Sequence, residues 1–165
     1  MSSLLKVAIA LVCVALPITS SVDLRGSQAT AAAQSDRERF VGAWRLAWME
    51  EPGPDGKIIR RTDRKGSLIY TRDGRMSVQI QFPESQSSVS NDYISNGYEA
   101  SFGTYEVDER AQTITRHVDG SITRGLIGQS LTRAYRFSDG GLTMRSVRPE
   151  ERWSTGIRRR PSPSS

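Results

Sequence analysis

Arg75 to Phe82, RMSVQIQF, puts Met76, Val78, Ile80 and Phe82 on one side of an extended chain and Arg75, Ser77, Gln79 and Gln81 on the other. Strict alternation marks a strand with one dry face and one wet face, whereas a helix buries residues three and four apart. Alternating runs recur along most of the chain. Trp44, Leu46 and Trp48 alternate with Arg45, Ala47 and Met49, and Pro52 to Gly56 breaks that run before a short strand at Lys57 to Arg61. Gly66 to Thr71 and Arg75 to Phe82 read as a hairpin about Asp73-Gly74. Tyr98 to Val107, Gln112 to Val118, Gln129 to Phe137, Gly141 to Val147 and Trp153 to Arg159 complete the strands. Ser35 to Phe40 predicts one helical turn with Ser35 or Asp36 as its N-cap, and no long amphipathic helix follows. Short antiparallel strands in succession are best satisfied by closure, which removes exposed edges. The expected fold class is all-β, an up-and-down antiparallel barrel with a short N-terminal helical turn.

Residues 1–33 are set apart from the fold. Lys6 precedes the apolar run Val7 to Ile18, the length of a signal peptide's hydrophobic region and shorter than the roughly 20 residues a spanning helix needs. Cleavage after Thr19-Ser20-Ser21 or after Ala31-Ala32-Ala33 both fit, and an uncleaved anchor is the alternative. Cys13 lies inside the apolar run behind bulky Val12, which argues against a lipoprotein site. The expected domains are a signal peptide at 1–33, a barrel at 34–160 and a disordered tail at 161–165, with the protein secreted or periplasmic.

The mature chain of about 130 residues holds one domain and has no cysteine, so its core alone must stabilise it. Removing the leader takes away Lys6, Arg25 and Asp23 and lowers the net charge of +5 by one. Most of the scattered arginines, including Arg60, Arg61, Arg64, Arg124, Arg136 and Arg145, read as the wet face of a sheet. They imply weak attraction to anionic surfaces rather than a nucleic-acid partner. Pro83 to Gly97 is the one long interruption, and a loop of this length is a candidate lid.

Five ordered blocks then carry a resemblance: Gly42 to Leu46; Lys65 to Ser77; Phe102 to Glu109; Thr113 to Ser121; and Gly128 with Arg133. The stretch Phe40 to Arg160 resembles the bacterial and fungal lipocalin-like domain proteins. That resemblance implies a lipocalin-like barrel with an internal pocket and an N-terminal plug, and no single activity. It also implies that Trp44 packs near the closed end under an arginine of the last strand, Arg158 or Arg159. The chain departs from the family at Arg116, where the pattern often has the first of two histidines, and at Ile122 to Ile127, which replaces an aromatic segment. A family site built on both histidines does not carry over.

If Ile114 and Val118 face inward, parity turns Arg116 inward and His117 outward, and Arg133 shares a face with Leu131, Tyr135 and Phe137. Buried guanidinium groups need partners. Glu106, Glu50 and Asp119 are the candidate carboxylates, and a ligand carboxylate or phosphate is the alternative. Tyr70, Met76, Ile80 and Tyr105 complete the expected pocket wall with Arg116 and Arg133, although small barrels can also be filled by such side chains. His117, the only histidine, is the general base only if the barrel is an enzyme. One histidine and no mature cysteine supply no usual zinc set, and no cofactor is expected. The adjacent carboxylates Glu50-Glu51 and Glu150-Glu151 read as solvated strand ends. The reading is a barrel that holds a small hydrophobic or amphipathic molecule without transforming it. The alternatives are a pocket enzyme of isomerase or cyclase type, with Arg116, Arg133 and Tyr105 polarising a carbonyl, and a filled barrel acting at the envelope through its surface.

Overall fold

The computed structural model describes residues 34–138 and 140–159, so the expected leader and the tail at 161–165 lie outside the described residues. A short helix, α1 (Asp36–Phe40), precedes β1 (Gly42–Pro52), β2 (Ile58–Arg61), β3 (Lys65–Tyr70), β4 (Arg75–Gln81), β5 (Tyr98–Asp108), β6 (Thr113–Ser121), β7 (Ser130–Ser138), β8 (Gly141–Ser146) and β9 (Ser154–Arg159). Neighbours are antiparallel in the order β2-β1-β3-β4-β5-β6-β7-β8-β9, and β9 returns to pair with β1. Closure makes an eight-stranded up-and-down barrel, as the alternation predicts. β2 lies outside that ring and extends the sheet beside the second half of β1. In β4, Met76, Val78 and Ile80 are buried and Arg75, Gln79 and Gln81 are exposed.

β1 departs from simple alternation. Its pairing with β9 shifts register between Leu46 and Trp48, so Trp44, Leu46 and Met49 are buried and Trp48 turns outward. There the Trp48 ring covers Gly156, where a Cβ would come within 2.2 Å of it, and lies 4.2 Å from the Arg60 guanidinium. A bulge inverts parity beyond itself.

A second bulge lies where β6 runs past Val118 to Ser121. Phe102 pairs with Gly120 and Gly103 with Val118, which leaves Asp119 as the extra residue. The Phe102 ring lies over Gly120, a glycine covered by its cross-strand aromatic.

α1 closes one end of the barrel. Gly42 has φ +133°, a backbone region that residues with a Cβ avoid, and this lets the chain turn from helix into β1. Phe40 is fully buried, and its ring meets Tyr70, Tyr135 and Phe137 edge-on at centroid distances of 5.4, 5.0 and 5.1 Å. The Trp44 indole N–H donates to the Phe40 carbonyl at 2.7 Å, and the Tyr135 hydroxyl donates to Asp36 at 2.8 Å. Of the two last-strand arginines, Arg159 is the one over Trp44, at 4.9 Å, and it donates to the carbonyls of Val41 and Arg39. The helix is thus fastened to both the first and last strands.

Candidate functional site

The inward side chains do not fill the barrel. A cavity of about 180 Å³ remains, walled by Leu46, Leu68, Val78, Ile80, Leu131 and Met144. Tyr93 and Ile94, from the loop between β4 and β5, also line it, and Ile94 is buried. The candidate lid therefore lies against the cavity. At the liquid volume of water the space equals about six molecules, below the roughly 300 Å³ at which drug-sized ligand sites begin.

Two cations enter this apolar space. Arg116 on β6 and Arg133 on β7 are 8% and 3% exposed. Arg116 donates through Nη2 to the Tyr70 hydroxyl at 2.7 Å and to Met144 Sδ at 3.3 Å. Among the described residues no carboxylate oxygen lies within 4.0 Å of it. Arg133 donates to the Thr132 carbonyl at 2.9 Å and to the Tyr93 hydroxyl at 3.3 Å, lies 4.0 Å from Glu151, and stacks on the Trp153 ring at 4.7 Å. The Nε of each arginine is buried without a hydrogen-bond partner. Burial, and then the positive charge of Arg116, lower the pKa of Arg133.

Glu99 on β5 faces the same space. Burial raises its carboxyl above the usual range, and the charges of Arg116 and Arg133 offset only part of that rise. The lid and the β8–β9 connection meet at Glu151, which accepts from Ser146 Oγ at 2.5 Å, the Tyr93 hydroxyl at 2.6 Å and Arg148 at 3.1 Å. Burial pushes this carboxyl up, but hydrogen bonds from Ser146 and Tyr93, with the charges of Arg133 and Arg148, outweigh it and hold the pKa below its ordinary value. The arrangement can seat a small apolar body and present guanidinium donors to its polar end.

The lipocalin-like domain family profile matches residues 41–160. The chain belongs to this family. Solved structures similar to it include three that follow. A lipocalin-like protein from Bacteroides uniformis is 13% identical over 73% of this chain and 98% of its own, with a TM-score of 0.46. An uncharacterised protein from Bacteroides eggerthii is 15% identical over 73% and 99%, with a TM-score of 0.44. A mutant of the fluorescent protein UnaG is 15% identical over 76% and 99%, with a TM-score of 0.41. No curated protein matches the chain.

In this lipocalin-like barrel the expected wall residues divide into two groups. Ile80, Arg116 and Arg133 line the cavity, whereas Tyr70, Met76 and Tyr105 are buried without bordering it. Tyr105 donates to the Thr71 carbonyl at 2.9 Å, and Tyr70 packs on Phe40. Alternation fixes which face a side chain takes, not its depth along the barrel. His117 lies on the outward face of β6, 2.9 Å from Ser130 Oγ, away from the cavity.

The expected carboxylate partners are elsewhere. Glu50 pairs with Arg60 at 2.6 Å, Asp119 pairs with Arg75 at 3.3 Å, and Glu106 is exposed. Glu51 and Glu151 are not solvated ends. Glu51 pairs with Arg64, which is 4% exposed, stacks on Phe82 and reaches Gln86 of the lid at 3.4 Å. Arg64 was expected on a wet face, but it lies in the connection between β2 and β3, where alternation does not apply. Sequence reasoning missed Glu99 although parity was available, because Ser101, Gly103 and Tyr105 are buried at its own spacing.

A larger groove of about 1010 Å³ opens on the outside where β1 parts from β3, lined by Arg45, Lys65, Gln79, Gln81 and Tyr98 among others. Leu46, Ile80 and Glu99 border both spaces. The groove is the more open and the more polar of the two, and the interior cavity is the more sheltered and the more apolar.

The Glu151 latch supports a direct prediction. Glu151→Gln keeps the shape but removes the charge, so amide exchange in residues 83–97 should rise about tenfold or more while the strands keep their protection. A carboxyl whose folded pKa is lowered contributes stability above its unfolded value of about 4.3 and loses it as pH falls through the folded value. In the unsubstituted protein, loop protection should therefore fall below about pH 4. Unchanged loop exchange in the variant would remove Glu151 as the latch.

Proposed function

We propose that this lipocalin-like barrel is an exported, secreted or periplasmic, binder of a small amphipathic molecule, held in the interior cavity without chemical change. The observation that carries this reading is the enclosed, apolar-walled space with two buried arginines at its margin. The apolar leader supports export. The lid loop supplies a means of sequestration, because Tyr93 couples it to both Arg133 and Glu151.

A second reading, a pocket enzyme, draws on Glu99. A carboxyl with a raised pKa facing two guanidinium groups is an arrangement used for proton transfer. His117 has no part in it, since it lies on the outward face.

Native mass spectrometry of the protein purified from its own cells, compared with its denatured mass, tests the proposal. The expected result is a reproducible extra mass released on denaturation, and a compound that returns chemically unchanged after rebinding. An altered chromatographic retention of the rebound compound would favour isomerisation. A bare mass, together with no thermal shift across a metabolite panel, would favour a filled barrel acting through its surface.

A further inference from the structure

The geometry points to the ligand's polar end: we infer that the cavity takes a small apolar monocarboxylate, its carboxylate seated on Arg116 and facing Arg133. This deepens the binding reading above and rests on it.

The two arginines are unequally satisfied. Arg133 is tied to the lid by Tyr93 and lies 4.0 Å from Glu151. Arg116 has a tyrosine hydroxyl and a thioether as its partners, both neutral, and its Nε is buried with none. A guanidinium group carries five donors in a planar fork that matches a carboxylate. Two cations in one largely apolar space repel each other, and an anion between them removes that repulsion.

Glu99 does not fill this place within the barrel. It borders the cavity, yet no oxygen of it comes within 4.0 Å of either arginine.

Size and lining set the rest. About 180 Å³ excludes long acyl chains and large ring systems, and Val78, Ile80 and Leu131 offer the tail no polar partner. A second charge on the head group would lie against largely apolar walls, at a desolvation cost. The chemistry is that of a short-chain or arylalkanoic acid.

The test is calorimetric titration of the full-length protein at pH 7 with 3-phenylpropionate, hexanoate and octanoate. Each acid is matched with its neutral primary amide, and inorganic phosphate is run separately. The expected result is that at least one acid binds tenfold or more tighter than its amide, that phosphate binds far more weakly, and that Arg116→Met brings the acid down to the affinity of the amide. If Arg116→Met fails to fold, the acid-to-amide ratio in the unsubstituted protein decides alone.

Equal binding of acid and amide would overturn the carboxylate assignment and leave the apolar binding reading standing. Phosphate binding as tightly as the acids would overturn the assignment as well. Failure of every acid and amide would overturn the assignment together with the reading on which it rests.

Discussion

Phe40→Ala is expected to destabilise the barrel by about 3–5 kcal/mol, the range for truncating a buried aromatic. That should lower the melting temperature by roughly 10 °C or more. Phe40 is the one apolar side chain that α1 buries, and three aromatic rings from β3 and β7 meet it edge-on. Those rings keep contacts with Tyr105, with Trp44 and with one another, but they lose the ring that all three share. Its backbone carbonyl still accepts from Trp44, so the loss falls on packing rather than on the indole hydrogen bond. Thermal melts followed by near-ultraviolet dichroism measure it. A loss under about 1 kcal/mol would mean that the helix is an appendage and not the plug of the closed end.

Gly103→Ala should also be severe, and for a different reason. A Cβ at this position would stand 2.0 Å from the His117 carbonyl oxygen and 2.8 Å from the Asp119 backbone nitrogen. Both are main-chain atoms, so no rotamer change relieves the clash. β5 and β6 must separate at the bulge, which should cost about 3 kcal/mol or more, at or above the upper end for overpacking. Because β5 also carries Glu99 and β6 carries Arg116, ligand binding should weaken with it. Urea denaturation reads the stability. A variant as stable as the parent would show that the strands separate there with little resistance. Gly120→Ala is the natural comparison: its obstacle is the Phe102 ring, a side chain able to swing away, so the cost should be smaller.

The closed barrel was legible because alternation is a property of each strand alone, and runs such as Met76, Val78 and Ile80 carry it without interruption. The inward turn of Arg116 and Arg133 followed from the same parity, and the resemblance to the family anticipated a last-strand arginine over Trp44. Parity is local, however, and two bulges reset it. Nothing in the sequence near Ala47 announces that Trp48 will face outward, and the extra residue at Asp119 is visible only from the pairing of β5 with β6.

The partners of the site were less legible for a related reason. Glu51 and Arg64 are thirteen residues apart, and Tyr93 and Glu151 are fifty-eight apart. These pairs depend on how a turn and a long loop fold back over the barrel mouth, which no strand period encodes. Glu99 was within reach, two residues before buried Ser101, but a charged residue near a strand's start reads as frayed.

The central claim is that the enclosed space, and not the larger outer groove, is where a ligand sits. Chemical-shift mapping during titration with 3-phenylpropionate tests it most directly. The account predicts that shifts concentrate on the inward side chains of Leu68, Val78, Leu131 and Met144 and on the lid residues Tyr93 and Ile94. Shifts confined to Arg45, Lys65, Gln79 and Tyr98, with those inward side chains unmoved, would place the ligand in the outer groove and contradict it.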